Sequence, residues 1–473
     1  MAQNRSLSAT ILLSITILLC SAGTFAFAAD QNKKREPGIE MHLDIAGVPS
    51  WFPVGFCLLT DGNRQFVAYY DTEHRMTVAS RMLDSEVWEY QVLPSTVGWD
   101  SHNYVTMAID DEGYIHLSGN MHCDRLVYFR TTRPWDISSF EKVGEMTGRH
   151  ESRCTYPQFM RGANNELIFH YRAGRSGSGN EIYNVYDMTT KTWRRLLDTP
   201  LTDGQGKVNA YFHGPIPGPD GYFHLCWMWR DHGGCESNHD ISYARSRDLV
   251  RWETADGTPI ALPITLETDG VIVDPVPIEA GLINMGHCVG FDARKRPIVT
   301  YHKYDGAGNS QIYNTRWEGG EWAVYQTSDW SYRWDFSGGG AIPCEIRAGP
   351  VHPLNDGSLS QWYRRTRSGF GVWKLDPETL KPIGELESDA MIPTSLNKLE
   401  SHFPGMQVIW RGDSGRADEP GVRYIIRWET LPPNRDRRRE GPLPEPSVLR
   451  LYKLVTDDRG VIAASDWGEH DAE

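Results

Sequence analysis

The sequence is short of several things, and each shortage closes off a class of protein. After residue 30 no segment of the 473-residue chain sustains a helical period, which sets aside helical bundles and alternating α/β folds. No run after residue 30 is long and apolar enough to cross a bilayer. Positive charge is in deficit. The 48 Lys and Arg stand against 62 Asp and Glu, a net charge of −14, which argues against nucleic acid as the partner. A disulfide framework is also disfavoured. Beyond Cys20 in the N-terminal apolar stretch, the cysteines are Cys57, Cys123, Cys154, Cys226, Cys235, Cys288 and Cys344, odd in number and widely spread. Most read as small buried apolar residues. Nucleophile elbows, Walker loops, dinucleotide fingerprints and HExxH are missing as well.

Residues 1–29 have the make-up of a secretory signal peptide. Arg5 supplies positive charge, ATILLSITILL supplies a short apolar region, and Ala26-Phe27-Ala28 supplies a small-x-small cleavage site. An uncleaved anchor is the alternative. A lipoprotein signal fits less well, because Leu19 precedes Cys20 where a small residue is needed. The expectation is a secreted or periplasmic monomer of residues 30–473, free of the membrane after cleavage.

Aromatics and turn formers are abundant: 17 Trp, 21 Tyr, 15 Phe, 45 Gly and 28 Pro. They fall in a repeat. An apolar run, a turn rich in Asp, Gly and Asn, and a second run ending in an aromatic recur as FCLLTDGNRQFVAYYD, VTMAIDDEGYIHLSGN, FMRGANNELIFHYRAG, GPIPGPDGYFHLCWMWRD, VGFDARKRPIVTYHKYD and VHPLNDGSLSQWYRRT. A degenerate seventh copy begins at Val408, and third and fourth runs follow in most units. Residues 30–473 shared among seven units give about 63 each, which suits an all-β, seven-bladed β-propeller of four-stranded antiparallel blades. Six or eight blades, or a pair of β-sandwiches, are the alternatives.

Strands of a blade alternate in direction. The start of the first strand, the end of the second and the start of the third therefore share one face, while the first turn lies on the other. The first turns, such as DDEG and GPDG, are tight and acidic. The loops after the second strands carry His, Arg, Lys, Tyr and Asn, as in GNMHCDR, WRDHGGCESNH and YHKYDGAGNSQ. That face is expected to hold the site. His102 opens the second unit and His122 follows its second strand, so one hairpin returns both to this face. Asn120, Tyr171, Arg172, Trp229, Arg230, Asn238, Tyr301 and Lys303 are placed there by the same rule. His116, His170 and His224 fall inside second strands and read as packed core residues. Cys235 and His239 form C-x3-H, with His302 one unit further on. Thiolate and imidazole suit a structural zinc, the alternative being that His239 meets substrate directly.

The stretches HNYVTMAIDDEGYIHLSGNMH, TYPQF, YRAGRSGSGNEIYN, GPDGYFHLCWMWRD, NHDISYARS and RPIVTYHKYD resemble the BNR-4 type propeller proteins, among them ulvan lyases of polysaccharide lyase families 24 and 25. The resemblance covers residues 50–345 and fades over the last two units. It implies β-elimination on a uronate-containing anionic polysaccharide, with no catalytic cofactor and a structural zinc. It also implies a histidine pair and a tyrosine for proton transfer, and an arginine that neutralises the uronate. Residue by residue, these match His102, His122, Tyr171 and Arg230. A propeller glycoside hydrolase and a non-catalytic carbohydrate-binding propeller are the competing readings.

Overall fold

The structure, a computed structural model, describes residues 36–456 except 285, 367–368, 388–389 and 416–418. The signal peptide expected at residues 1–29 lies outside the described residues. No helix among the described residues is long and apolar enough to cross a membrane.

The repeat becomes seven antiparallel sheets among the described residues, each of four or five strands and each built mainly from a consecutive stretch of chain. The acidic first turns explain themselves chemically. In DDEG, one Asp110 carboxylate oxygen accepts from the Glu112 and Tyr114 amides at 3.0 and 2.9 Å, and Gly113 takes a φ of 87°. The aspartate thus closes the turn from its first position, and glycine supplies the left-handed residue that brings the chain back.

Second strands are buried on both faces. Ile115–Gly119 is buried at every position, and Leu167–Arg175 is buried over its first six. Outer strands such as Glu89–Thr96 are largely exposed. This follows from stacking: a middle strand is covered on each side by a neighbouring sheet, so its sequence loses the apolar–polar alternation of a half-exposed strand. The largest apolar cluster joins the first, second and seventh sheets through residues such as Leu58, Phe66, Ile115 and Trp428.

The degenerate seventh unit supplies only three strands, Gln407–Gly412, Val422–Thr430 and Ser447–Val455. Its fourth is Gly38–Val48 from the chain's other end, paired antiparallel with Ser447–Val455. This sheet meets the first one, where the Thr60 amide donates to Asp413 at 2.8 Å. One local departure shapes the site. His122–Asp124, within the second unit's loop, adds itself as an edge strand to Cys154–Arg161 of the third sheet, with His122 opposite Thr155.

Candidate functional site

His102 precedes the strand Val105–Ile109 and His122 follows Ile115–Gly119. The hairpin brings their rings to 4.2 Å between centroids. One carboxylate, Asp100, holds both. Its two oxygens lie 2.7 Å from His102 Nδ1 and 2.5 Å from His122 Nδ1. With each Nδ1 engaged, Nε2 is the ring atom of each histidine that can meet a substrate. His102 has a second carboxylate, Asp436, at 3.3 Å from the same Nδ1. Burial pulls the His102 imidazole down, but Asp100 and Asp436 overcome it and raise its pKa to about 10. His102 is therefore a cation across the neutral range.

A second cluster adjoins the histidines. Tyr156, in the strand Cys154–Arg161, sits 6.1 Å from the His102 ring and 6.1 Å from the Tyr211 ring. It stands at an irregularity in the strand register and takes a φ of 57°. A left-handed tyrosine costs about 1 kcal/mol, and here it turns the ring out of the sheet between the two groups. Tyr211, in Asn209–Pro217, accepts from Arg172 at 3.2 Å and from Arg230 at 3.1 Å, with Ser176 Oγ at 2.8 Å. Arg172 also lies over the Tyr156 ring at 5.0 Å and donates to Thr155 at 3.2 Å. Burial opposes the charge on Arg172, and the Tyr211 and Tyr156 phenols more than restore it, leaving the group above its ordinary range. Arg230 is fixed by three backbone carbonyls, those of His232, Gly233 and Gly234.

The result is a continuous row: carboxylate, two imidazoles, phenol, guanidinium, phenol, guanidinium. Proton donors and acceptors lie at one end and paired cations at the other. That arrangement can hold an anionic group and move protons beside it.

Several residues expected here are elsewhere. Tyr171 has no exposed surface, and its hydroxyl faces the Arg149 carbonyl and Arg195, each at 3.4 Å. Strand alternation is the reason: in Leu167–Arg175, Arg172 turns to the site and its neighbour Tyr171 turns to the opposite face. Trp229 is fully buried against Trp227 in an apolar cluster. Asn238 is buried, its amide donating to the Cys235 carbonyl at 2.8 Å. Tyr301 is buried with its hydroxyl on Asp274 and on Thr315, and Lys303 is ion-paired with the same Asp274. Asn120 lies beside the histidines in sequence, but its amide donates to Ser95 at 2.8 Å and to the Thr96 carbonyl.

The three residues expected to hold zinc are not gathered into one ligand set. Among the described residues, the only group of three or more His, Cys, Asp or Glu with ligand atoms within 4.8 Å of one another is Asp100, His102 and His122, and its closeness is that of the hydrogen bonds above. The two nitrogens of His239 face Asp240 and Asp231 at 2.9 and 3.0 Å. Cys235 is buried, and His302 is buried 5.3 Å from the Trp334 ring, where desolvation brings its pKa down to about 4. These residues carry no step of the chemistry below.

Sequence reading missed Asp100, Tyr156, Tyr211 and Asp436. Asp100 and Tyr156 lay in view, two residues before His102 and inside TYPQF. Tyr211 and Asp436 carried no local signal that set them apart from other strand and loop residues. A cleft of 710 Å³, lined by residues such as Leu196, Tyr222, Arg247 and Trp252, contains none of the site residues.

Comparison with known proteins agrees with the sheet architecture. The model of the family described as BNR repeat-containing family member matches residues 64–330. The protein named Ulvan Lyase-PL25, from Pseudoalteromonas sp. (strain PLSV), is 24% identical over 267 residues, which is 47% of this chain and 52% of its own. The ulvan lyase of Alteromonas sp. (strain LOR) is 24% identical over 204 residues, 36% of this chain and 40% of its own. The chain thus spans about half the length, or less, of these curated relatives. Among solved structures, polysaccharide lyase Uly1 superposes with a TM-score of 0.58 at 14% identity, covering 89% of this chain and 100% of the other. The PL25 ulvan lyase bound to -[GlcA(1-4)Rha3S]- gives 0.53 at 15%, covering 82% and 92%. These superpositions show a shared all-β fold. Since the family model matches more than half of its length, the chain belongs to the BNR repeat-containing family.

Proposed function

We propose that this protein is an exported polysaccharide lyase, built as a seven-bladed β-propeller, that cleaves ulvan or a similar uronate polymer by β-elimination. The observation that carries the reading is the convergence of the Asp100-held histidine pair with a phenol set between two guanidinium groups. The names of the two curated relatives and of the superposed lyases support the same activity.

The chemistry follows from the order of groups in the row. Elimination removes the C5 proton of the uronate and breaks the bond from C4 to its oxygen. The C5 proton is barely acidic while the neighbouring carboxylate is charged. Arg172 and Arg230 neutralise that carboxylate and stabilise the enolate-like intermediate. C5 is one bond from the carboxylate carbon, so the base stands beside the arginines. We assign the C5 proton to Tyr211, whose hydroxyl oxygen accepts from both arginines, a role that requires the phenolate form. His102, held as a cation, gives its Nε2 proton to the departing O4. A double bond forms between C4 and C5, and solvent restores both protonation states. His122 shares Asp100 with His102 and lines the path of the leaving sugar. No water nucleophile enters the step.

The test is to incubate the protein with ulvan and other uronate polymers and follow the ultraviolet absorbance of the unsaturated product. His102→Ala is expected to lower the rate by about 10² to 10⁴ with circular dichroism unchanged, and His122→Ala, which removes its neighbour on Asp100, by a smaller factor. Reducing sugar released without the absorbance would instead establish a hydrolase. Binding without product would establish a capture protein. Full activity in both variants removes the proposed mechanism.

A further inference from the structure

Asp436 comes from outside the matched family region, and the mechanism above does not explain why it is there. It lies in the segment 431–446 between Val422–Thr430 and Ser447–Val455 of the seventh sheet. This is the loop after a second strand, so it belongs to the same face as the histidines. It crosses to three other parts of the molecule. The Leu431 amide donates to the Ser50 carbonyl at 2.8 Å, ahead of the first sheet. Arg435 donates to the Ser337 and Gly339 carbonyls at 2.8 and 3.0 Å, ahead of the sixth. One oxygen of Asp436 accepts from the Ser101 hydroxyl at 2.8 Å, and the other accepts from the Ala341 amide at 2.9 Å and lies 3.3 Å from His102 Nδ1.

The backbone is bent to achieve this. Arg435 and Asp436 have φ of 53° and 58°, two consecutive left-handed residues without a glycine. Each costs about 1 kcal/mol, so the surrounding bonds must hold them in place. Strain of this kind, aimed at one histidine of a reactive pair, points to function.

We propose that Asp436 is a positioning residue for the acid of the lyase reaction: together with Asp100 it clamps Nδ1 of the His102 imidazolium, so that Nε2 is presented to the leaving oxygen and His102, not His122, is the donor. This rests on the lyase reading, in which a histidine protonates O4. The two histidines have much in common. They share Asp100, their rings adjoin, and they stand at the two ends of one hairpin. The asymmetry between them in the ion pairs is Asp436, which reaches His102 only. The titratable groups facing His102 are Asp100 on its own segment, Asp436 from the seventh sheet's loop, His122 from the neighbouring edge strand and Tyr156 from the third sheet. Two anions against one adjoining imidazole favour the proton on His102. Because the seventh sheet is completed by the N-terminal strand, the donor is assembled only in the closed molecule.

The test is Asp436→Asn in the full chain. Asparagine removes the charge and keeps one oxygen, which can take the Ala341 amide as Oδ2 does, while its NH2 can donate to the Ser101 hydroxyl oxygen in place of the bond that Oδ1 accepts. The expected result has three parts. The histidine NMR titration of free protein, assigned with His102→Gln, moves the His102 midpoint down by about one pH unit or more. The alkaline limb of the pH–kcat profile moves down with it, so that kcat falls about fivefold or more at pH 10 and less than about twofold at pH 6. KM changes less than about twofold, because no substrate contact is removed. Asp436→Glu, which returns the charge, recovers part of the alkaline activity. A folded Asp436→Asn protein with an unmoved His102 titration and an unmoved alkaline limb overturns the proposal. A shifted His102 titration in Asp436→Asn, combined with a wild-type protein that makes no unsaturated product, sinks the lyase reading, while the clamp on His102 stands.

Discussion

Two sectors of one face carry the same kinds of residue and come to different ends. Around the second to fourth sheets, His102, His122, Tyr156, Arg172, Tyr211 and Arg230 form a connected row. Around the fifth sheet, Tyr301, His302 and Lys303 lie at the end of a second strand, Pro297–Tyr304, yet none is available. Asp274, from the extra strand Ile272–Asp274 beside the fourth sheet, takes both the Tyr301 hydroxyl and the Lys303 ammonium. Trp334 lies against the buried His302. In the first sector the carboxylate holds Nδ1 and leaves Nε2; in the second it closes the phenol and the ammonium outright. A polar residue on the right face is therefore only half of a site. Its partners must leave an atom unsatisfied in the direction of the substrate.

The contrast can be broken by experiment. The largest effect separates two tyrosines. Tyr211→Phe is expected to cut kcat on ulvan by about 10² or more, whereas Tyr171→Phe keeps wild-type kcat and loses about 1 kcal/mol or less in urea unfolding. Equal losses of activity in the two variants would return Tyr171 to the mechanism. The next effect compares cations. Arg172→Gln is expected to lower kcat/KM by about 10² to 10³, while Lys303→Met leaves it within about twofold, measured across a substrate series. A large kcat/KM loss in Lys303→Met would show that the fifth-sheet sector also meets the polymer.

The smallest effect concerns pH and stability. The folded pKa of His102 is raised to about 10, above its unfolded value near ~6.5. The sign follows: its contribution to stability is complete below pH ~6.5 and is lost as pH rises through about 10. The gap in urea midpoint between wild type and His102→Gln should accordingly be widest near pH 6 and shrink toward pH 10. A gap that widens toward pH 10 would contradict a charged His102.

Much of the fold was legible because its cause is local. Aspartate-closed turns and apolar runs sit next to each other in sequence, and seven copies repeat the message. The seventh sheet was only partly legible, because its outer strand, Gly38–Val48, lies at the far end of the chain from its partner. The histidine pair could be read from one hairpin. Tyr171 could not be told from a site residue for a physical reason: Leu167–Arg175 is buried on both faces over most of its length, so neither face is marked by polarity. Arg172, one position along, shares its composition and context but points the other way.

By itself the sequence determined the all-β repeat, the segregation of tight acidic turns from long polar loops, and the return of His102 and His122 to one place. These depend on turn chemistry and strand direction, which act over a few residues. Only the tertiary structure decided which tyrosine joins the arginines, which cations are already neutralised, and that Asp436 closes on His102 from 334 positions away. Those outcomes depend on how separate sheets pack and on which carboxylate arrives first at each polar group, and distances of that kind are not written in any short stretch of chain.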